Sequence, residues 1–388
     1  MPAGVEGKID ARRPAANGHD STMKTDLAQT RKALKTRSRP VLRHEARTPA
    51  EVLREAADWC EAAGYSWDSY GSGPLIEDFE AKVADLLGFP AARFMPSGKA
   101  AQNIAMKVWC ERAGLNHFGM HPTSHLELHE GRAYQHLFGL RATLLGPRNS
   151  PLLAEHLKAC PEALAALLIE LPIREAGGQL PEWGELKELK VAAEEREIRL
   201  HLDGARLFET AAYYGRSLAK ICSGFDSAYV SFYKGIGGLS GAMLLGHESF
   251  IEEAKVWQIR CGAELFTLAP NVASAAMQFD HRLDKMPEYY ERAVALASVL
   301  ERTERVRTLP AVPQTNMMHV YLPWDMETAL AARDHVAEEL RLWLFDSLRP
   351  AATPGFSYYE WYVGDAACAV PVKQVELAFA RFIERADD

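Results

Sequence analysis

The 388-residue chain is 48% hydrophobic and 25% charged, enough apolar material for a large core in a chain longer than one compact domain usually runs, so two folded domains are expected. A formal charge of -8 and a pI near 5.9 offer no broad attraction to polyanions; nucleic acid and anionic membranes are excluded as main partners, and a small molecule fits better. No apolar stretch reaches the ~18 residues of a membrane helix, the densest run, Ala163 to Ile169, being flanked by Glu162 and Glu170.

The N-terminal residues lack a hydrophobic signal core, which reads as a cytoplasmic protein. Cys60, Cys110, Cys160, Cys222, Cys261 and Cys368 are scattered without a C-x-x-C pair, which argues against a disulfide framework or structural zinc.

In chain order, residues 1–45 carry no sustained apolar period beyond a short helix around Leu27 to Leu34, so a tail that is partly disordered is expected. Its basic run, Arg31 to Arg39, reads as a solvated arm. A large domain is expected over 46–270 and a smaller α+β domain over 271–388. From Gly73 an amphipathic helix is predicted, with Pro74 in its first turn, Leu75, Ile76, Phe79, Val83, Leu86 and Leu87 on one side, and Gly88 as its stop. A short strand, Arg93 to Met95, leads through Pro96-Ser97-Gly98-Lys99 into a second helix ending before Gly114. Apolar runs at 142–145, 167–171, 198–202, 228–232 and 242–245 alternate with helix-like stretches, which predicts an α/β fold with a mostly parallel sheet. Helices around 273–277 and 289–302, a strand at 317–321 and a helix near 374–385 complete the smaller domain.

His201-Leu-Asp-Gly-Ala-Arg206 places Asp203 at the C-terminal end of a buried strand, where ligands collect in open α/β sheets. Alone, Asp203 could equally form a turn with Gly204 and an ion pair with Arg206. Some thirty residues on, Ser231-Phe-Tyr-Lys-Gly-Ile-Gly-Gly238 puts Lys234 just past another buried strand, among glycines that let backbone approach a ligand. A free lysine amine, with a pKa of about 10.4, must be depressed or already condensed with an aldehyde to act as a nucleophile. Pyridoxal phosphate, held by Lys234 as a Schiff base, meets that need and requires a carboxylate at its ring nitrogen, for which Asp203 is the candidate. Ser97, Gly98 and Lys99 at a helix start offer a phosphate site. The glycines after Lys234 fail the dinucleotide pattern, because Ser240 stands at its sixth position. A rival constellation is His121, His125 and His129, which would share one helical face able to hold the metal of a hydrolase, although Pro122 disfavours that helix.

With these motifs in order, the chain resembles the threonine aldolase and β-eliminating lyase family of fold-type-I pyridoxal-phosphate enzymes, from about Tyr70 to Gly246 and again at Thr315 to Met318. The resemblance implies a transferase-like large domain built on a mostly parallel seven-stranded sheet between helices. It also implies cleavage of the Cα–Cβ bond of a β-hydroxy-α-amino acid to an aldehyde and glycine, with β-elimination, racemisation or transaldol transfer as the alternatives. The family's H-x-D-G-A-R-x-F segment implies Asp203 at the ring nitrogen and Arg206 near the ring oxygen; its lysine motif implies Lys234, and its P-[ST]-G-T phosphate loop is matched by Pro96-Ser97-Gly98-Lys99. The segment Ser124 to Glu130 implies His125 stacked on the cofactor ring and able to act as a base. Tyr70-Gly-Ser-Gly-Pro74 implies a tyrosine facing a neighbouring subunit's site, and so a homodimer or homotetramer. The substrate end departs from the family: the N-terminal S-D-T segment is not evident, and Glu170-Leu-Pro-Ile-Arg-Glu175 lacks the usual histidine. With no late arginine in the usual place, Arg174, Arg260 and Arg349 are the candidates for the substrate carboxylate, and the aromatic stretch Phe356 to Tyr362 for an aromatic pocket.

Overall fold

The computed structural model describes the backbone of residues 18–388 and the side chains from residue 27 onward. The expectation of disorder over residues 1–17 lies outside the described residues. Seven strands form the central sheet, in the order Ala91–Met95, Ala242–Gly246, Ser227–Ser231, Arg199–Gly204, Ala166–Glu170, His117–Met120, Arg141–Leu144. Ala242–Gly246 runs antiparallel to both of its neighbours, and the other pairings are parallel. The expected mostly parallel sheet of seven strands is what forms.

The inner strands read as unbroken apolar runs because both faces are covered. Successive side chains alternate between two cores: Leu167, Ile169, Leu200, Leu202 and Val230 enter one cluster, while Ala166, Leu168, Tyr229 and Leu244 enter the other with helix Gly98–Ala113. Ala91–Met95 and Ser227–Ser231 point the same way, since each is antiparallel to the strand between them. The residues that follow Met95, Glu170, Gly204 and Ser231 therefore gather at one edge of the sheet.

The second sheet is antiparallel, in the order Arg349–Pro350, Ser357–Tyr362, Met317–Leu322, Arg307–Leu309. The aromatic stretch expected to line a pocket is one of its strands, and period-2 alternation divides it. Tyr359 and Trp361 enter the core, whereas Glu360 and Tyr362 reach the cavity described below.

The N-terminal arm is not the solvated tail expected up to residue 45. Helix Gly18–Thr36 extends well beyond the predicted turns, and its Arg31 pairs with Asp334 at 2.7 Å. Arg39–Pro40 adds a parallel strand beside Leu342–Trp343. Val41 is fully buried, and its carbonyl accepts a 2.7 Å hydrogen bond from the Trp361 indole. Residues 31–44 thus pack with the C-terminal region. Among the described residues, no helix is long and apolar enough to cross a membrane.

The turn after Glu170 is fitted tightly against the second sheet. Gly177 has φ +79°, and a Cβ there would overlap the Leu309 carbonyl oxygen. Gly184, in helix Trp183–Glu194, meets nothing within 4 Å. Gly177→Ala is expected to cost more than about 2 kcal/mol of unfolding free energy, and Gly184→Ala to be neutral or stabilising by up to about 1 kcal/mol. Urea denaturation of both variants tests this; equal stabilities would mean the turn adapts freely.

Candidate active site

A cavity of about 500 Å³ opens at the sheet edge where the strand ends gather, lined by Arg43, His44, His125, Arg174, Arg206, Tyr233, Lys234, Gly237, Gly238, Glu360 and Tyr362. Lys234 sits three residues past Ser227–Ser231 in a closed loop, in which Phe232 N donates to the Gly241 carbonyl and Gly238 N to the Phe232 carbonyl. Gly235 must be glycine, because a Cβ would crowd Glu209 Oε1 at 2.5 Å and the Tyr362 hydroxyl at 2.9 Å. Burial, then the neighbouring Arg206 charge, holds the Lys234 amine below its ordinary pKa against the pull of Asp203 and Glu170.

Asp203, one residue before the end of its strand, is almost fully buried. Its Oδ1 accepts a hydrogen bond from Ala205 N at 3.1 Å, and its Oδ2 has no hydrogen-bond partner. Burial raises its pKa, with Lys234 the main opposing charge. A buried carboxylate oxygen left open is costly unless a donor arrives, and a pyridinium N–H is such a donor. His201, two residues earlier on the same face, is fully buried with Nδ1 2.8 Å from Ser227 Oγ.

Arg206 lies 3.5 Å from Glu209 and 3.4 Å from Glu360, with its guanidinium 4.7 Å from the Tyr362 ring centre. Burial raises Glu209 to about 7 against the pull of Arg206. Glu360 is also penalised by burial, but Arg206 and Arg174 hold its pKa below the ordinary value. Arg174 gives Nε to Glu360 at 2.6 Å and Nη1 to Glu175 at 2.9 Å. Glu170 accepts a hydrogen bond from Arg174 N at 3.1 Å, and burial together with Asp203 raises its pKa.

At the expected phosphate end, Ser97 caps helix Gly98–Ala113 by accepting from Ala100 N. Any Cβ at Gly98 would overlap the Tyr229 hydroxyl, which lies 3.2 Å from that of Tyr233, a lining residue. A helix start carrying a hydroxyl and a glycine of close approach suits a phosphate. Lys99 is exposed. Together with the open Asp203 oxygen, these residues fit pyridoxal phosphate.

The three histidines do not share a helical face. His121 bonds to Thr123 Oγ1 and the Pro147 carbonyl, each at 2.7 Å, and the helix begins only at His125. His125 Nδ1 is 2.9 Å from Glu130 Oε1, and Asn103 Nδ2 donates to the other oxygen of Glu130 at 2.8 Å. His129 turns to Glu175 at 2.9 Å. Among the described residues, no group of three or more His, Cys, Asp or Glu is arranged to hold a metal.

Of the expected substrate residues, Arg174 lines the cavity and Tyr70 does not; Tyr70 is 55% exposed, with its ring against Phe266. Arg349 pairs with Glu175 at 3.1 Å, and Arg260 stacks on Trp257. Arg43, His44, Glu209 and Glu360 had no place in the sequence reading, whereas Tyr362 belongs to the aromatic stretch expected at a pocket and does line the cavity. The one available signal was an acid, Glu360, inside a run of alternating buried aromatics.

This fold and this edge site define a fold-type-I pyridoxal-phosphate enzyme. Residues 48–323 match the family model described as β-eliminating lyase, and the chain belongs to that family. It is a pyridoxal-phosphate-dependent lyase. Among its relatives, low-specificity L-threonine aldolase 1 of Arabidopsis thaliana is 26% identical over 298 residues, 72% of this chain and 78% of the relative. The low specificity L-threonine aldolase of Escherichia coli K12 is 26% identical over 258 residues, 65% and 76% of the two chains. A Listeria monocytogenes structure assigned as an L-allo-threonine aldolase superposes with a TM-score of 0.88 at 38% identity, covering 92% of this chain and 99% of that one. Leishmania major threonine aldolase, at 16% identity and a TM-score of 0.69, shares the fold.

Burial lowers the pKa of His201 from 6.5 to about 3. Between those values the unfolded chain binds one proton more than the folded one, so stability contributed by neutral His201 is present above about pH 6.5 and is lost as pH falls, by up to about 1.4 kcal/mol per pH unit. His201→Gln should remove that much of the acid-limb slope in urea unfolding measured across pH 4 to 6.5. An unaltered slope would rule out a buried neutral imidazole here.

Proposed function

We propose that the enzyme cleaves the Cα–Cβ bond of a β-hydroxy-α-amino acid, giving glycine and an aldehyde, as the names of its threonine aldolase relatives suggest. The single observation that carries this reading is the pairing of Lys234, its amine held below its ordinary pKa, with the buried and partnerless Oδ2 of Asp203.

Pyridoxal phosphate supplies the electron sink for the pair released at the substrate's α-carbon. Lys234 would hold it, with Asp203 at the ring nitrogen, Arg206 beside the ring, His125 over its face, and Ser97, Gly98 and Lys99 at the phosphate. Asp203 serves as a buried anion that keeps a proton on its partner. Because Glu130 takes the Nδ1 side of His125, Nε2 is left as the acceptor able to remove the β-hydroxyl proton. Glu130 is itself fixed by Asn103, so the base is oriented before substrate enters.

We further infer a cytoplasmic homodimer or homotetramer. Trp67, Tyr70 and Phe266 are 73%, 55% and 68% exposed, and the segments that carry them are joined by Asp68, which accepts from Thr267, Leu268 and Ala269. An apolar surface of this kind supports burial against a second copy.

Wild-type protein given pyridoxal phosphate should absorb in the visible and bleach with borohydride, whereas Lys234→Ala should trap no cofactor and lose about 10³-fold or more in turnover. A wild type that stays colourless would overturn the cofactor reading. Threonine and phenylserine should yield glycine with acetaldehyde and benzaldehyde. Pyruvate and ammonia from β-chloroalanine, without glycine from either hydroxyamino acid, would transfer the assignment to β-elimination.

A further inference from the structure

The cavity is rich in cations, yet most of them are already matched. Arg174 is engaged by Glu360 and Glu175, and Arg206 lies between Glu209 and Glu360. An incoming carboxylate would have to displace one of these carboxylates and leave it uncompensated where burial already disfavours its charge. Arg43 differs. The one ion pair it makes among the described residues, to Asp346, is long at 3.7 Å, and its side chain remains 60% exposed. Asp346 is already satisfied by Lys35 at 2.5 Å and the Trp343 indole at 2.9 Å.

The backbone of Arg43 is held firmly in an unusual place. Its φ is +61°, a left-handed conformation that residues with a Cβ adopt only when the surroundings impose it, and such outliers concentrate at functional sites. Here Arg43 N donates to the Tyr362 carbonyl at 2.6 Å, and its own carbonyl accepts from Ala366 N at 3.1 Å. Gly364 permits the approach, since a Cβ there would lie 2.9 Å from the Arg43 carbonyl carbon. Of the six non-glycine residues with positive φ among the described residues, Arg43 alone lines the cavity.

We propose that Arg43, delivered by the N-terminal arm, binds the α-carboxylate of the amino-acid substrate. The assignment rests on the amino-acid lyase reading above and takes the place of the sequence candidates Arg174, Arg260 and Arg349. A guanidinium presents a fork of donors that matches a carboxylate, and this one can turn to substrate without exposing a buried partner.

The test is an absorbance titration of the holoenzyme with glycine and with glycinamide, which offers the same amine without the carboxylate. Wild type should bind glycine more tightly. In Arg43→Leu and Arg43→Gln, glycine binding should weaken about 10- to 100-fold while glycinamide moves less than about 3-fold, so that the preference collapses. Arg43→Lys should retain part of it. Comparing two ligands on one variant keeps the result independent of fold stability, and the glutamine variant covers the case in which the leucine variant fails to hold cofactor. A wild-type preference kept in both Arg43→Leu and Arg43→Gln overturns the proposal, as does its loss in Arg174→Leu alone. If wild-type protein takes up no pyridoxal phosphate, or neither ligand perturbs its spectrum, the lyase reading fails instead.

Discussion

Burying a lysine amine next to an arginine is the constraint on which the rest of the site depends. Each cation taken out of water must be met by a nearby anion or lose its charge. Around Lys234 the chain supplies Asp203 and Glu170 from two adjacent parallel strands, paired at Glu170 and Asp203. Around Arg206 it supplies Glu209 and Glu360. Burial and Arg206 thus hold the lysine amine below its ordinary pKa, the direction a nucleophile needs, while Glu209 and Glu360 keep the arginine protonated.

That balance draws on distant parts of the chain. Glu170, Asp203 and Lys234 come from consecutive strand ends of one sheet, whereas Glu360 comes from the second sheet and Arg43 and His44 from the N-terminal arm. His44 Nε2 lies 3.0 Å from the Gly235 carbonyl, directly after Lys234, and its Nδ1 lies 3.2 Å from Asp365. Arg282 also reaches Asp365, at 3.0 Å, and donates to the Ile236 carbonyl at 2.8 Å. The lysine loop is therefore held by the N-terminal arm and by helix Ala269–Arg282, and the arm is part of the site's framework.

What was legible in the sequence follows the range of the interactions. Helix Pro74–Leu87 showed itself because its apolar stripe, proline start and glycine stop are local. Asp203, Arg206 and Lys234 could be placed because a strand end fixes each within a few residues. Helix Met326–Leu340 did not show, since Arg333 interrupts its apolar period. That arginine is nonetheless buried, stacked 3.9 Å from the Trp343 ring centre and donating to the Phe345 and Asp346 carbonyls. Arg43 could not be recovered from its neighbours, since what positions it is the carbonyl of Tyr362, more than three hundred residues away.

The same division separates cofactor from substrate recognition. The groups proposed for the cofactor stand on strand ends whose geometry the sheet dictates, so each is legible from a few neighbouring residues. The proposed substrate side is built where three separate segments meet, and Glu360 sits at that seam, with one carboxylate oxygen toward Arg206 and the other toward Arg174. Removing its charge would leave both arginines short of an anion. A carboxylate shared in this way links the electrostatics of the two halves, so substitutions at the substrate end are constrained by the charge balance that keeps Lys234 and Arg206 in their working states.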